Sequence, residues 1–155
     1  MKNTTLCYIE RDGKYLMLYR NKKKNDPNAG KWIGVGGKLE EKESPPEAAE
    51  REVLEETGLS VRDLRYRGVV SFVSDEWETE QMHLFTASDF TGELADCDEG
   101  ELAWIEKKRV PELPLWEGDR IFLELLDSRK DFFSLKLCYS GGELTRAVLD
   151  GKVIR

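Results

Sequence analysis

GKLEEKESPPEAAEREVLEETGL, Gly37 to Leu59, carries a turn, a full set of helix boundaries and a run of glutamates. Ser44 can cap a helix, Pro45 suits its first position, Glu47 completes a capping box with Ser44, and Gly58 can close the C-terminus. These signals predict a helix from Pro45 to Thr57. Residues three and four apart share a helix face, so Glu52, Glu55 and Glu56 project their carboxylates to one side. The like-charge pair Glu52/Glu56 should cost a few tenths of a kcal/mol, and Arg51 can relieve part of that load through Glu47 or Glu55. Hard oxygen ligands so arranged suit magnesium or manganese, ions that protein carboxylates and substrate phosphates bind jointly. The chemistry this favours is hydrolysis of a phosphoanhydride. Without further support, such a helix would read as an ordinary solvated face.

The rest of the chain is compatible with that chemistry. Its 155 residues fall in the size range of one domain, taken here as residues 1–155. Apolar residues are 39% and charged residues 35%, enough for a core beneath a heavily ionised surface. A formal charge of −7 disfavours a duplex nucleic acid gripped through its phosphates. Lys22, Lys23 and Lys24 form a basic run that reads as a solvated loop and could also attract a phosphorylated small molecule. No apolar run is long enough to span a bilayer, and the N-terminus lacks a signal-peptide core, so the expected location is the cytoplasm, away from membranes. Cys7, Cys97 and Cys138 lack ligand-like spacing with the single His83, which argues against a disulfide framework or zinc site.

Outward from the helix, patterns of alternation predict a largely β chain. Thr4 to Glu10 and Tyr15 to Arg20 should pair about the Asp12-Gly13 turn. Asn21 to Lys31 should be a loop before a short apolar stretch, Trp32 to Val35, and the Gly36-Gly37 turn. Leu64 to Ser74, Gln81 to Ser88 and Leu102 to Ile105 read as strands, the first two joined by an acidic turn, Asp75 to Glu80. Pro111 and Pro114 should interrupt regular structure. Trp116 to Asp127 has apolar residues at helical spacing, and Phe132 to Tyr139 with Glu143 to Leu149 should close the chain as a hairpin. The expected class is α+β, a mixed central sheet with flanking helices and an additional β-hairpin.

In the opening stretch, Gly37, Glu43, Arg51, Glu52, Val53, Glu55, Glu56, Gly58 and Leu59 match every fixed position of G-x5-E-x7-R-E-U-x-E-E-x-G-U, with U apolar. The chain therefore resembles the Nudix hydrolases, and nine constrained positions make chance agreement improbable. The resemblance implies an α/β/α sandwich and magnesium-assisted attack of water on a nucleoside diphosphate-linked substrate. It further implies Glu52, Glu55 and Glu56 as metal ligands, a ligand from the Gly37 carbonyl, Arg51 orienting the carboxylates and Glu43 bracing the junction of loop and helix. Another catalytic carboxylate is expected from a distant loop, and Glu99 is the favoured candidate in Asp96 to Glu101.

The likeness extends to the oxidised purine nucleoside triphosphatases of the MutT type, through Trp32 to Lys38, Phe72, Met82 to Phe85, Trp104 and Leu115 to Phe122. It implies a purine stacked on Trp116, with Asp119 pairing to its edge and Phe72 lining the pocket. The expected reaction takes a purine nucleoside triphosphate such as 8-oxo-dGTP to monophosphate and pyrophosphate. Core packing is the plainer alternative for Trp116 and Phe72. Arg20 and Lys38 lie near the expected phosphate path, and His83 is expected to be structural. The sequence departs from the human pattern at Ile33, where an amide is usual, and at Gly118, the first of two acidic positions. Rival readings are a Nudix enzyme for a sugar nucleotide, a dinucleoside polyphosphate or NADH, and a silent nucleotide sensor; the intact Arg51, Glu52, Glu55 and Glu56 argue against the last.

Overall fold

A computed structural model describes residues 1–155. Strands β1 (Lys2–Arg11) and β2 (Lys14–Arg20) form the hairpin about Asp12-Gly13, followed by β3 (Trp32–Ile33) and helix α1 (Pro45–Thr57). Then come β4 (Ser60–Val61), β5 (Arg65–Ser74), β6 (Glu80–Ala87), β7 (Phe90–Thr91) and β8 (Gly100–Glu106). A 3-10 turn over Lys107–Glu112 leads to α2 (Glu117–Ser128), β9 (Phe133–Ser140), β10 (Glu143–Leu149) and β11 (Lys152–Val153).

Nine strands make the main sheet, in the order β11-β10-β9-β5-β6-β1-β2-β3, with β8 also pairing β2. The sheet is mixed: β1 runs parallel to β6 and β5 parallel to β9, whereas β5/β6, β9/β10 and β2/β8 are antiparallel. The first hairpin soon splays. Only Glu10↔Tyr15 and Arg11↔Lys14 pair across it, after which β1 follows β6 and β2 follows β8. Beyond the splay, the opposite flank of β1 is met by the segment after β3, through the bridges Cys7↔Val35 and Thr4↔Lys38.

Alternation along β1 distributes its side chains to two cores. Leu6 and Tyr8 join Phe122, Leu123 and Leu126 of α2, while Cys7 and Ile9 join Ala49 and Val53 of α1. The helices thus cover opposite faces, giving the expected α/β/α sandwich. Helix α1 ends as its sequence dictates: Ser44 and Glu47 exchange side-chain and backbone hydrogen bonds, and Gly58 turns the chain out at φ 81.

Several expected boundaries change. Strand β8 extends to Gly100–Glu106 because β2 offers a partner along its whole length. The stretch expected at Trp32 to Val35 shortens to Trp32–Ile33, Val35 instead bridging to Cys7. Pro111 lies inside the 3-10 turn, which tolerates a missing N–H, so it does not break regular structure there. Terminal strand β11 was hidden from pattern reading by its two-residue length. The three cysteines are free, and no helix is long and apolar enough to cross a membrane.

Candidate active site

A cleft of about 430 Å³ opens where β1 and β2 have separated. Thr4, Thr5 and Leu6 of β1 form part of its floor, and Arg20 and Ile33 stand across from them. One end contains Gly36, Gly37, Lys38, Glu52 and Glu99; the other contains Phe72, Glu80, Trp116 and Asp119. Nine residues expected at the site from sequence therefore share one cavity.

At the first end, Arg51 organises the glutamates. Its guanidinium grips Glu43 through two bonds, Nε to Oε2 at 2.7 Å and Nη2 to Oε1 at 2.9 Å. Its Nη1 donates to Glu52 at 2.8 Å and Glu55 at 3.2 Å, and Nη2 also reaches the Lys38 carbonyl at 3.1 Å. This planar fork joins loop and helix in a manner lysine cannot reproduce. Glu47, one of the two relief partners expected for Arg51, is instead engaged in capping Ser44.

Glu56 is buried, accepting from the Gly36 N–H at 3.1 Å. Burial, then its hydrogen bond with Glu99, pushes the Glu56 carboxyl well above the usual carboxylate range. That same hydrogen bond, aided by Arg20 and Lys23, holds Glu99 below it. Burial also raises Glu52, against the pull of Arg51. Glu55 projects from the exposed side of the cluster toward Arg51. No three acidic, histidine or cysteine side chains already converge at coordinating spacing. The donor chemistry nevertheless fits a hard divalent cation: carboxylates crowd at Glu52, Glu56 and Glu99, and the burial and mutual repulsion that raise Glu56 are what a bound cation would offset. The backbone is correspondingly close, since a Cβ on Gly37 would lie 2.6 Å from the Glu52 carboxylate. The Gly37 carbonyl accepts from Thr5 N–H at 2.8 Å and, more weakly, from the Thr5 hydroxyl at 3.5 Å, so a ligand role for it would displace that longer contact.

Arg20 and the lysine loop support Glu99. Arg20 is buried and pairs with Asp26 at 2.8 Å and Glu99 at 3.4 Å, while Lys23 reaches Glu99 at 3.6 Å. Lys22 donates to the Cys97 carbonyl. This basic run is consequently tied to the site, rather than being a wholly solvated loop. Sequence reasoning had identified the run but not the particular importance of Lys23.

At the far end, Trp116 and Phe72 are both packed and presented. Their rings meet edge to face at 5.4 Å, Trp116 also meets Tyr139, and its indole N–H donates to Asn28 at 2.8 Å. Core packing and cleft lining, posed as alternatives, coexist here. Gly118 explains the missing acidic position, because a Cβ there would lie 2.5 Å from Leu137 and 2.6 Å from the Tyr139 hydroxyl. Glu80 and Asn28 escaped sequence reading: one was assigned to a turn and the other to a polar loop. His83 stands outside the cleft, bonded to the Tyr66 hydroxyl and Asn3. Trp104 also lies elsewhere, stacked on Phe90 beneath Arg11.

Asp119 is buried in the cleft wall, and its carboxyl makes no side-chain hydrogen bond to the protein. Burial, then the nearby charge of Glu80, pushes its carboxyl up to about 8, against the opposing charges of Arg120 and Lys31. The folded chain thus holds this proton more tightly than the unfolded chain does. Its stabilising contribution is full below the ordinary carboxylate pKa and disappears as pH rises from about 4 to about 8. Asp119→Asn cannot ionise, so its stability relative to wild type should increase between pH 5.5 and 8 by on the order of 2–3 kcal/mol. Paired urea denaturations at both pH values test this, and parallel pH profiles would contradict it.

The geometry has the features of a hydrolase that pairs a carboxylate-rich helix with a nucleotide-sized cleft. The NUDIX domain profile matches residues 2–126. The chain is 35% identical over 132 residues to the oxidized purine nucleoside triphosphate hydrolase of Danio rerio, covering 84% of this chain and 83% of that protein. The corresponding Mus musculus protein is 36% identical over 71% of each chain. The crystal structure of a MutT protein from Bacillus halodurans superposes with a TM-score of 0.86 at 29% identity, covering 97% of this chain and 98% of the other. The chain belongs to the Nudix family. It is a pyrophosphohydrolase of that family, whose members generally use divalent metal cations.

Proposed function

We propose that the enzyme hydrolyses a purine nucleoside triphosphate, with 8-oxo-dGTP the leading candidate, to the monophosphate and pyrophosphate. The observation that carries this reading is the continuity of the cleft, from Glu52 and Glu99 at one end to Trp116, Phe72 and Asp119 at the other. Its lining suits phosphates beside the carboxylates and a base between apolar and acidic walls.

In this proposal Glu52, Glu55 and Glu56 hold magnesium, or manganese in its place, directly or through water, with Glu99 and the Gly37 carbonyl in support. The divalent cation supplies electrophilic assistance to phosphate oxygens and lowers the pKa of a bound water. Arg51 positions Glu52 and Glu55, while Glu43 anchors Arg51. Lys38 and Lys23 attract the phosphate chain. Arg20 acts chiefly by holding Glu99, because its guanidinium is already engaged with that residue and Asp26.

Trp116 and Phe72 provide the apolar wall for the purine, and Ile33 contributes a further apolar surface. Asp119, protonated at neutral pH, donates to an acceptor on the base edge, which an ionised carboxylate could not do. The activity named for the Danio rerio and Mus musculus relatives supports the same substrate class. The soluble nucleotide, rather than a nucleic acid or membrane, is the proposed partner, and the cytoplasm is the proposed location.

A panel of nucleotides with magnesium, read by product mass, tests this assignment. Pyrophosphate and a purine monophosphate are expected, with the oxidised purine turned over best. Cleavage confined to sugar nucleotides, dinucleoside polyphosphates or NADH would replace the substrate assignment. Nucleotide binding without turnover would instead favour a sensor.

A further inference from the structure

Three of the four tryptophans have a ring or cation partner: Trp32 meets Tyr19, Trp104 meets Phe90 and Arg11, and Trp116 meets Phe72, Tyr139 and Lys31. Trp77 has no such partner. It is 42% exposed, yet it lines the cleft. An exposed tryptophan in a short acidic turn cannot be explained by core packing, while its indole offers a broad face to a planar ligand.

The surrounding chain fixes where that face is presented. Trp77 lies between Ser74, the end of β5, and Glu80, the start of β6. Phe72 and Glu80 are paired across those strands, so the turn overhangs the purine end of the cleft rather than the glutamate helix. Both sides of the turn are anchored. Asp75 accepts from Gly141 N–H and Ser140 Oγ–H at 3.1 Å, and Glu78 pairs with the N-terminal amine at 3.1 Å. Lys2 N–H donates to the Thr79 carbonyl at 3.0 Å. Such anchoring reduces the freedom lost when Trp77 engages a ligand.

We infer that Trp77 is an aromatic wall that covers the exposed face of a purine base at the Phe72/Glu80 end of the cleft. This inference rests on the proposed purine reading and adds a contact outside the Trp116 region. Trp77 supplies affinity for the planar base; the polar groups at its edge select which purine is retained.

The test uses full-length wild type and the variants Trp77→Ala, Trp77→Leu and Trp77→Phe, titrated with dGMP and, separately, inorganic pyrophosphate. Alanine and leucine should weaken dGMP binding by about 5- to 100-fold, whereas phenylalanine should remain close to wild type. Pyrophosphate affinity should be unchanged across the set. Recovery by phenylalanine but not leucine distinguishes aromatic stacking from simple filling of space. Equal dGMP affinity in all four proteins overturns the Trp77 inference, and continued pyrophosphate release from purine triphosphates would leave the substrate reading intact. If wild type neither binds dGMP nor cleaves any purine triphosphate, both the inference and that reading fail.

Discussion

Glu56→Gln will reduce kcat by about 100-fold or more while leaving the fold intact, because it changes ligand charge without changing side-chain shape. Its amide oxygen can still accept the Gly36 N–H, and its amide nitrogen can donate to Glu99. The local packing therefore survives, while the carboxylate proposed to hold the cation is lost. Steady-state kinetics alongside thermal denaturation separates these effects. Unchanged turnover would remove Glu56 from the mechanism, whereas a large loss of stability would mean that its charge is needed to hold the loop itself.

Gly36→Ala should destabilise the fold by about 3 kcal/mol or more. A Cβ at this position would be 1.8 Å from the Thr5 carbonyl oxygen and 2.6 Å from its carbon, both backbone atoms of a central strand. Relief requires moving β1 or the glycine loop, and with them the Gly36 contact to Glu56. Gly37→Ala offers a contrast: its Cβ meets the Glu52 carboxylate, which can swing aside. That variant should retain more stability and show its defect mainly in activity. Urea denaturation of both variants measures the difference. A Gly36→Ala protein within about 0.5 kcal/mol of wild type would show that the loop has room the structure does not provide.

The glutamate helix was legible because its signals are local. Ser44, Pro45, Glu47 and Gly58 encode its ends, and the three- and four-residue spacings bring Glu52, Glu55 and Glu56 to one side. The sandwich was legible through a family resemblance spanning most of the chain. Residues whose importance depends on distant pairing were harder to recognise. Glu80 resembles any acid in a polar turn until Lys2↔Glu80 and Phe72↔Glu80 place it between β1 and β5. Asn28 is an ordinary loop amide until it accepts the Trp116 indole N–H.

The same distinction explains the change in β8 and the overlooked role of Trp77. Gly100 and Glu106 have weak strand signals alone, but β2 supplies a complete antiparallel partner. Trp77 contributes no periodic pattern to its short turn, so its importance emerges only from the cleft beside it. Gly118 was visible as a departure from the acidic pattern, but its physical reason required Leu137 and Tyr139 to be brought against it in space.

Calorimetric titration of magnesium or manganese into wild type and Glu56→Gln, each saturated with a non-hydrolysable purine triphosphate analogue, tests the proposed metal-substrate site most directly. Wild type should take up the ion, and the variant should bind it at least about 10-fold more weakly. No ion uptake by nucleotide-bound wild type, or equal affinity in the two proteins, would contradict the role assigned to the α1 glutamates.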